Sequence, residues 1–191
     1  DRAFSDPGQA SRPFSLDRKG FVLAEGAGVL VLAAEEAAHS WGLRPRAEVL
    51  GLGWNSDAHH FTRPNTATVI QCMQAAISDA GLKPEDIDTV NAHGTSTKAA
   101  VFAGHLEELP ISANKSQIGH SLGAAAAIEA ALAIESMQQQ LVLPTVNHLP
   151  DPDLADLDVV PNAARPYPHE HVLSNAFGFG GTNCCLVLRG L

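Results

Sequence analysis

Two apolar runs near the end of the chain, residues 172–174 and 184–188, are separated by a glycine-rich link at 178–182. This feature restricts the fold more than any other, because so short a link joins two strands only as antiparallel neighbours. The rest of the chain alternates strand-like with helix-like segments, the pattern of an α/β fold with helices packed on a sheet. Together they predict a mixed sheet inside a layered α/β body.

Upstream, residues 21–32 form a run that is apolar on both faces around Glu25, Gly26, Ala27 and Gly28, which predicts a strand buried between layers. Residues 33–41 favour helix and stop at Gly42, and 47–53 predict a second strand. Within 66–80, Val69, Ile70, Met73, Ala76 and Ile77 recur at helical spacing, with Gly81 as the stop. Short strands are expected at 87–92, ending at His93, and at 110–113. Residues 122–140 read as a long Ala-rich helix, and 6–19, rich in Pro, Ser and charge, as an irregular surface segment.

Composition narrows the function classes. Of 191 residues, 45% are hydrophobic and 17% charged, which is globular rather than disordered. A net charge of −9 disfavours nonspecific binding to nucleic acid or an anionic membrane. Cys72, Cys184 and Cys185 are the only cysteines, an odd number without disulfide or zinc spacing, which points to a reducing, cytoplasmic setting. The first six residues lack the pattern of a secretory leader. The apolar stretches 26–34 and 122–134 are too short to span a bilayer, and the second carries Glu129.

Three segments place polar, reactive groups beside glycine at strand ends. They are Asn91-Ala92-His93-Gly94-Thr95-Ser96-Thr97, then Asn114-Lys115-Ser116-Gln117-Ile118-Gly119-His120, then Ser174-Asn175-Ala176-Phe177-Gly178-Phe179-Gly180-Gly181-Thr182-Asn183. Singly, each has an ordinary structural explanation: a satisfied polar residue, a solvated lysine, a turn that needs positive φ. Their conjunction, in this order on one α/β domain, carries the signal.

That conjunction resembles the two-histidine β-ketoacyl synthases of fatty acid and polyketide assembly, in the thiolase superfamily. The likeness covers essentially the whole chain. It extends through Arg12-Pro13-Phe14, Asp17-Arg18-Lys19-Gly20-Phe21-Val22, Ser56-Asp57-Ala58-His59-His60-Phe61-Thr62 and Pro144-Thr145-Val146-Asn147. The resemblance implies a layered α-β-α-β-α thiolase-like fold, of which this chain is mainly the C-terminal half. Residues 1–46 would close the N-terminal half, and 47–191 would form the C-terminal one.

It also implies decarboxylative Claisen condensation of an acyl thioester with malonyl-acyl carrier protein. Decarboxylation builds negative charge on the thioester oxygen, and two neutral imidazole N–H donors aimed at it would act as an oxyanion hole. His93 and His120 are the candidates, with Lys115 disfavouring the imidazolium by like-charge repulsion. Phe177 matches the gating residue, whose amide would serve the acyl-enzyme carbonyl and whose ring would screen the acyl pocket. Gly178 and Phe179 belong to the same mobile loop. Thr95 and Thr97 match the hydroxyls that bind the phosphopantetheine arm. Some members hold a monovalent cation at positions matched by Asn91, Glu129, Ser174 and Asn175, but no metal or other cofactor is assigned on that basis.

The implied partners are acyl carrier protein, an N-terminal half carrying the cysteine nucleophile, and a second subunit in a homodimer or ketosynthase heterodimer. None of the three cysteines present matches that nucleophile. Arg12, Arg18 and Lys19 form the one compact basic cluster, a candidate carrier-docking patch. A second departure follows Thr97, which runs directly into Lys98-Ala99-Ala100-Val101-Phe102-Ala103-Gly104. The family's usual acidic loop and helix are missing there, and with them the expected carboxylate partner of Lys115. Two alternatives stand beside the catalytic reading. One is a non-catalytic chain-length-factor-like subunit, which the two histidines disfavour. The other is a degradative thiolase, which the 115–120 and 177–181 segments disfavour.

Overall fold

The computed structural model describes residues 6–96 and 109–191. Its centre is a five-stranded sheet in the order β1-β7-β6-β2-β3. The long strands β1 (Ala47–Ser56), β7 (Thr182–Gly190) and β6 (His171–Phe177) pair antiparallel, with an irregularity between Val49 and Gly51. The short strands β2 (Thr89–Asn91) and β3 (Ile111–Ser112) add on in parallel. The sheet is therefore mixed, as the glycine link requires. Strands β4 (Leu141–Val142) and β5 (Arg165–Pro166) form a separate two-stranded sheet.

Helix α1 (Glu35–Ser40) ends against Gly42, which adopts a positive φ. Helix α2 (Thr66–Asp79) buries Val69, Cys72, Met73, Ala76 and Ile77 against one sheet face, matching its apolar spacing. Asn65 caps it by accepting the amides of Ala67 and Thr68. The other face packs on α4 (Ala125–Gln139), where Ala130, Ala133 and Met137 meet Val172 and Leu188. The helix expected over 122–140 opens with a separate 3-10 turn, Leu122–Ala124, before α4 begins. Between β3 and that turn lies the four-residue α3 (Lys115–Ile118).

Two expectations need correction. Residues 21–32 are not a buried strand. The segment makes one isolated bridge, Leu23 to His120, while Val29 and Val31 are each 86% exposed. It is extended and apolar on both faces, but beyond that bridge no described strand lies alongside to pair with it. The basic cluster is not a free patch either. Arg12 is buried against Asp17 and Arg18 against Asp151, which leaves only Lys19 exposed. Among the described residues, no helix is long and apolar enough to cross a membrane.

Candidate active site

His93 follows β2 at the C-terminal end of the parallel strands, the usual place for chemistry in an open α/β sheet. His120 arrives from α3 through Gly119, whose φ of +67° lets the chain turn sharply. A side chain at Gly119 would meet Ala24 Cβ at 2.8 Å, so that turn is packed against the extended segment. The same segment grips His120 at both backbone ends. The His120 N–H donates to Val22 at 2.7 Å, and its carbonyl accepts the Ala24 N–H at 3.0 Å. The two rings, 27 residues apart in sequence, meet edge to face with centroids 5.4 Å apart.

Hydrogen bonding fixes the tautomer of each ring. The Leu122 amide donates to His120 Nδ1 at 3.2 Å, so Nδ1 is the acceptor and the proton of the neutral ring sits on Nε2. Lys115 Nζ lies 3.3 Å from His93 Nδ1 and has only protons to offer, which places the His93 proton on Nε2 as well. Burial, then the charge of Lys115, pushes His120 down to about 4. Burial, then Lys115 and His120, holds His93 well below the usual imidazole range. Both rings are neutral N–H donors at physiological pH.

Lys115 is itself fully buried and pairs with Glu129 of α4, Nζ to Oε1 at 2.5 Å. Burial pushes the lysine down and the carboxyl up, and their mutual attraction opposes both shifts. Glu129 Oε2 has no partner among the described residues. Close by, Asn91 Nδ2 donates to Ser174 Oγ at 3.1 Å and to the Glu129 carbonyl at 3.5 Å. Both polar side-chain atoms of Asn175 are buried without a partner among the described residues.

The two imidazoles open into a cavity of about 520 Å³. Its wall also includes Thr95, Phe177, Gly178 and Phe179. The Phe177 ring stands 5.7 Å from His93, and Phe179 stacks on Phe61 at 5.3 Å. The loop after β6 closes on itself through the Gly178 amide and the Thr182 carbonyl at 2.7 Å. It is tied to the 57–65 loop by the Gly180 amide and the Phe61 carbonyl at 2.9 Å. At Gly181, with φ +87°, a Cβ would lie 2.0 Å from Asp57 Oδ1, so only glycine fits.

Of the site residues expected from sequence, His93, His120, Thr95, Phe177, Gly178 and Phe179 share this cavity, with Lys115 directly behind it. Thr97 lies outside the described residues. One expectation fails: Lys115 does not lack a carboxylate, because Glu129 supplies it. Sequence offered no signal for this pair, since α3, Gly119 and the 3-10 turn break helical spacing between the two positions. Cys72 and Cys185 are buried in the core, as small apolar residues would be. Cys184 departs from that reading. It is half-buried and lines the cavity, and burial pushes its thiol up, away from reactivity at neutral pH.

The family described as beta-ketoacyl synthase, C-terminal domain, matches residues 46–148. The chain belongs to the β-ketoacyl synthase family. It is 43% identical to 3-oxoacyl-[acyl-carrier-protein] synthase 2 of Coxiella burnetii, over 96% of this chain and 47% of that protein. It is 44% identical to nodulation protein E of Rhizobium meliloti, over 93% of this chain and 47% of the relative. Among solved structures, a type II PKS acyl-carrier protein in complex with its ketosynthase superposes with TM-score 0.92 at 34% identity. That match covers 100% of this chain and 50% of the other. The ishigamide ketosynthase/chain length factor superposes with TM-score 0.88 at 37% identity, over 98% of this chain and 48% of the other. The chain thus spans about half the length of the β-ketoacyl synthases it matches, and its fold is the thiolase-like layered α/β fold of that family.

Proposed function

We propose that this chain is the C-terminal half of a condensing enzyme that joins an acyl thioester to malonyl-acyl carrier protein with loss of CO₂. The observation that carries this reading is the pair of neutral imidazoles, His93 and His120, each with an Nε2–H that has no partner among the described residues and both lining one cavity. In this scheme a cysteine of the N-terminal half holds the acyl group. The malonyl thioester carbonyl accepts from both imidazoles. The bond to the carboxylate breaks, its electron pair moves to the thioester oxygen as an enolate, and CO₂ leaves. The enolate carbon then attacks the acyl thioester and expels the cysteine thiolate. Neutral donors suit this step, because an imidazolium would transfer its proton to the enolate carbon or oxygen and quench it.

Lys115 keeps His93 neutral by its charge and oriented by its hydrogen bond, while Glu129 holds Lys115 in place. Phe177 screens the acyl pocket, and Thr95 contacts the carrier's arm. Asn91, Ser174 and the Glu129 carbonyl are joined by hydrogen bonds, and Glu129 Oε2 has no partner among the described residues, so this corner offers acceptors to a monovalent cation. Such an ion would satisfy Glu129 Oε2 and brace the end of β6.

Residues 1–46 would complete the N-terminal half and 47–191 form the C-terminal one. The exposed Val29, Val31 and Leu32 support this, as does the family match starting at residue 46. Carrier protein and a second ketosynthase-like subunit are the proposed partners. The non-catalytic, chain-length-factor-like alternative is disfavoured because both imidazoles and their orienting contacts are intact. The test is decarboxylation of malonyl-acyl carrier protein by the full-length protein. His93→Ala and His120→Ala should each slow it about 100- to 1,000-fold, and unchanged rates in both would defeat the assignment.

A further inference from the structure

Among the described residues that line the cavity, Arg63 alone carries a permanent charge. Among the described residues, no aspartate or glutamate lines this space. Arg12, Arg18, Arg46, Lys83, Lys115, Arg165 and Arg189 are each matched by a carboxylate. The exposed guanidinium of Arg63 makes no hydrogen bond or ion pair among the described residues. Its backbone, in contrast, is fixed. The amides of Thr62 and Arg63 donate to His60 Nδ1 at 3.1 and 3.2 Å. Asp57 accepts the His59 and Asn65 amides at 3.0 and 2.8 Å, closing the loop at both ends. Among the described residues, a braced rim thus holds one unused cation beside an otherwise uncharged cavity lining.

We propose that Arg63 binds the phosphate of the phosphopantetheine arm as it enters the cavity, an inference that rests on the condensing-enzyme reading above. A planar guanidinium presents two parallel donors that match two phosphate oxygens. The other anion on the substrate, the malonyl carboxylate, is the wrong partner. It loses its charge as CO₂ forms, so a cation on it would stabilise the starting state more than the transition state and slow the reaction. The phosphate keeps its charge throughout, so pairing it costs no rate. Arg63 is also exposed whereas His120 is buried, which suits the end of the arm nearest solvent.

The experiment uses the full-length protein, wild type, Arg63→Gln and Arg63→Lys, with calorimetric binding of phosphopantetheine and of pantetheine. Wild type should bind the phosphorylated arm about tenfold more tightly. Arg63→Gln should abolish that difference without altering pantetheine binding, and Arg63→Lys should restore part of it. In decarboxylation, Arg63→Gln should raise KM about tenfold for malonyl-phosphopantetheine at unchanged kcat, and leave malonyl-pantetheine unaffected. Equal binding of the two arms by wild type, or equal weakening of both by Arg63→Gln, overturns the proposal. So does a selective loss of malonyl-pantetheine over acetyl-pantetheine, which would assign Arg63 to the carboxylate. If wild type shows the binding difference but decarboxylates no malonyl thioester, the condensing reading falls and the Arg63 assignment stands.

Discussion

Two ion pairs among the described residues are withdrawn from solvent, and they are built differently. In Arg18–Asp151 the side chains are 9% and 6% exposed, and the pair ties two distant chain segments together. Arg18 also donates to the Ser15 carbonyl at 2.8 Å, and the second oxygen of Asp151 caps the Asp153 amide at 3.1 Å. The Arg18 hydrogen bond, with help from that amide, holds the Asp151 carboxyl below its ordinary range. In Lys115–Glu129 both side chains are 1% exposed, but the pair is left open. Glu129 Oε2 has no partner among the described residues, and Lys115 reaches out to His93. A closed pair joins two chain segments; an open one has hydrogen-bonding capacity left over, and here that capacity faces the imidazoles.

If that contrast is right, the largest effect on activity should come from Lys115→Met. Losing the contact that fixes the His93 tautomer should lower kcat for decarboxylation about 100-fold or more. It should also destabilise the protein by about 3–5 kcal/mol, since Glu129 would be left buried and unpaired. Denaturant unfolding beside steady-state kinetics separates the two effects. Unaltered kcat would mean that the open pair is only structural.

Next comes pH. Because both imidazoles are held down, His120 to about 4, activity should stay level from about pH 8 to 5 and fall as pH nears 4. In the window between the unfolded value near 6.5 and about 4, the unfolded chain binds more protons than the folded one, so stability should drop as pH falls through it. Both imidazoles are held down in part by the Lys115 charge, so its removal should move the acid limb of activity upward. A pH-rate profile of Lys115→Met beside wild type makes that comparison. Arg18→Met should share only the destabilisation of Lys115→Met, lowering Tm by about 5 °C or more with kcat intact in the folded enzyme. The smallest change belongs to Lys83→Ala, which removes an exposed pair 4.0 Å apart, with Tm moving by about 1 °C or less.

Much of this was legible in the sequence. The helix over 66–80 announced itself by apolar spacing and Gly81, both local signals that need no knowledge of the rest of the chain. The antiparallel β6–β7 pair followed from the glycine link. The site residues His93, Lys115, His120 and Phe177 stood out because three segments recur together in one family. What could not be read was pairing across distance. Glu129 reaches Lys115 only because α4 crosses behind the strand ends, and Arg18 is neutralised by Asp151, 133 residues away, an approach that the chain's linear order does not reveal. Residues 21–32 misled for the opposite reason. Their composition is that of a buried strand, but burial depends on neighbours that composition does not contain.

The grip of Val22 and Ala24 on His120 has a consequence for assembly. The segment that sets this imidazole's backbone continues directly into the bare apolar stretch around Val29 and Val31. Whatever surface comes to cover that stretch would lie on the same segment that sets the ring's backbone. A change in that covering surface should therefore register at this imidazole, because one short length of backbone joins the two.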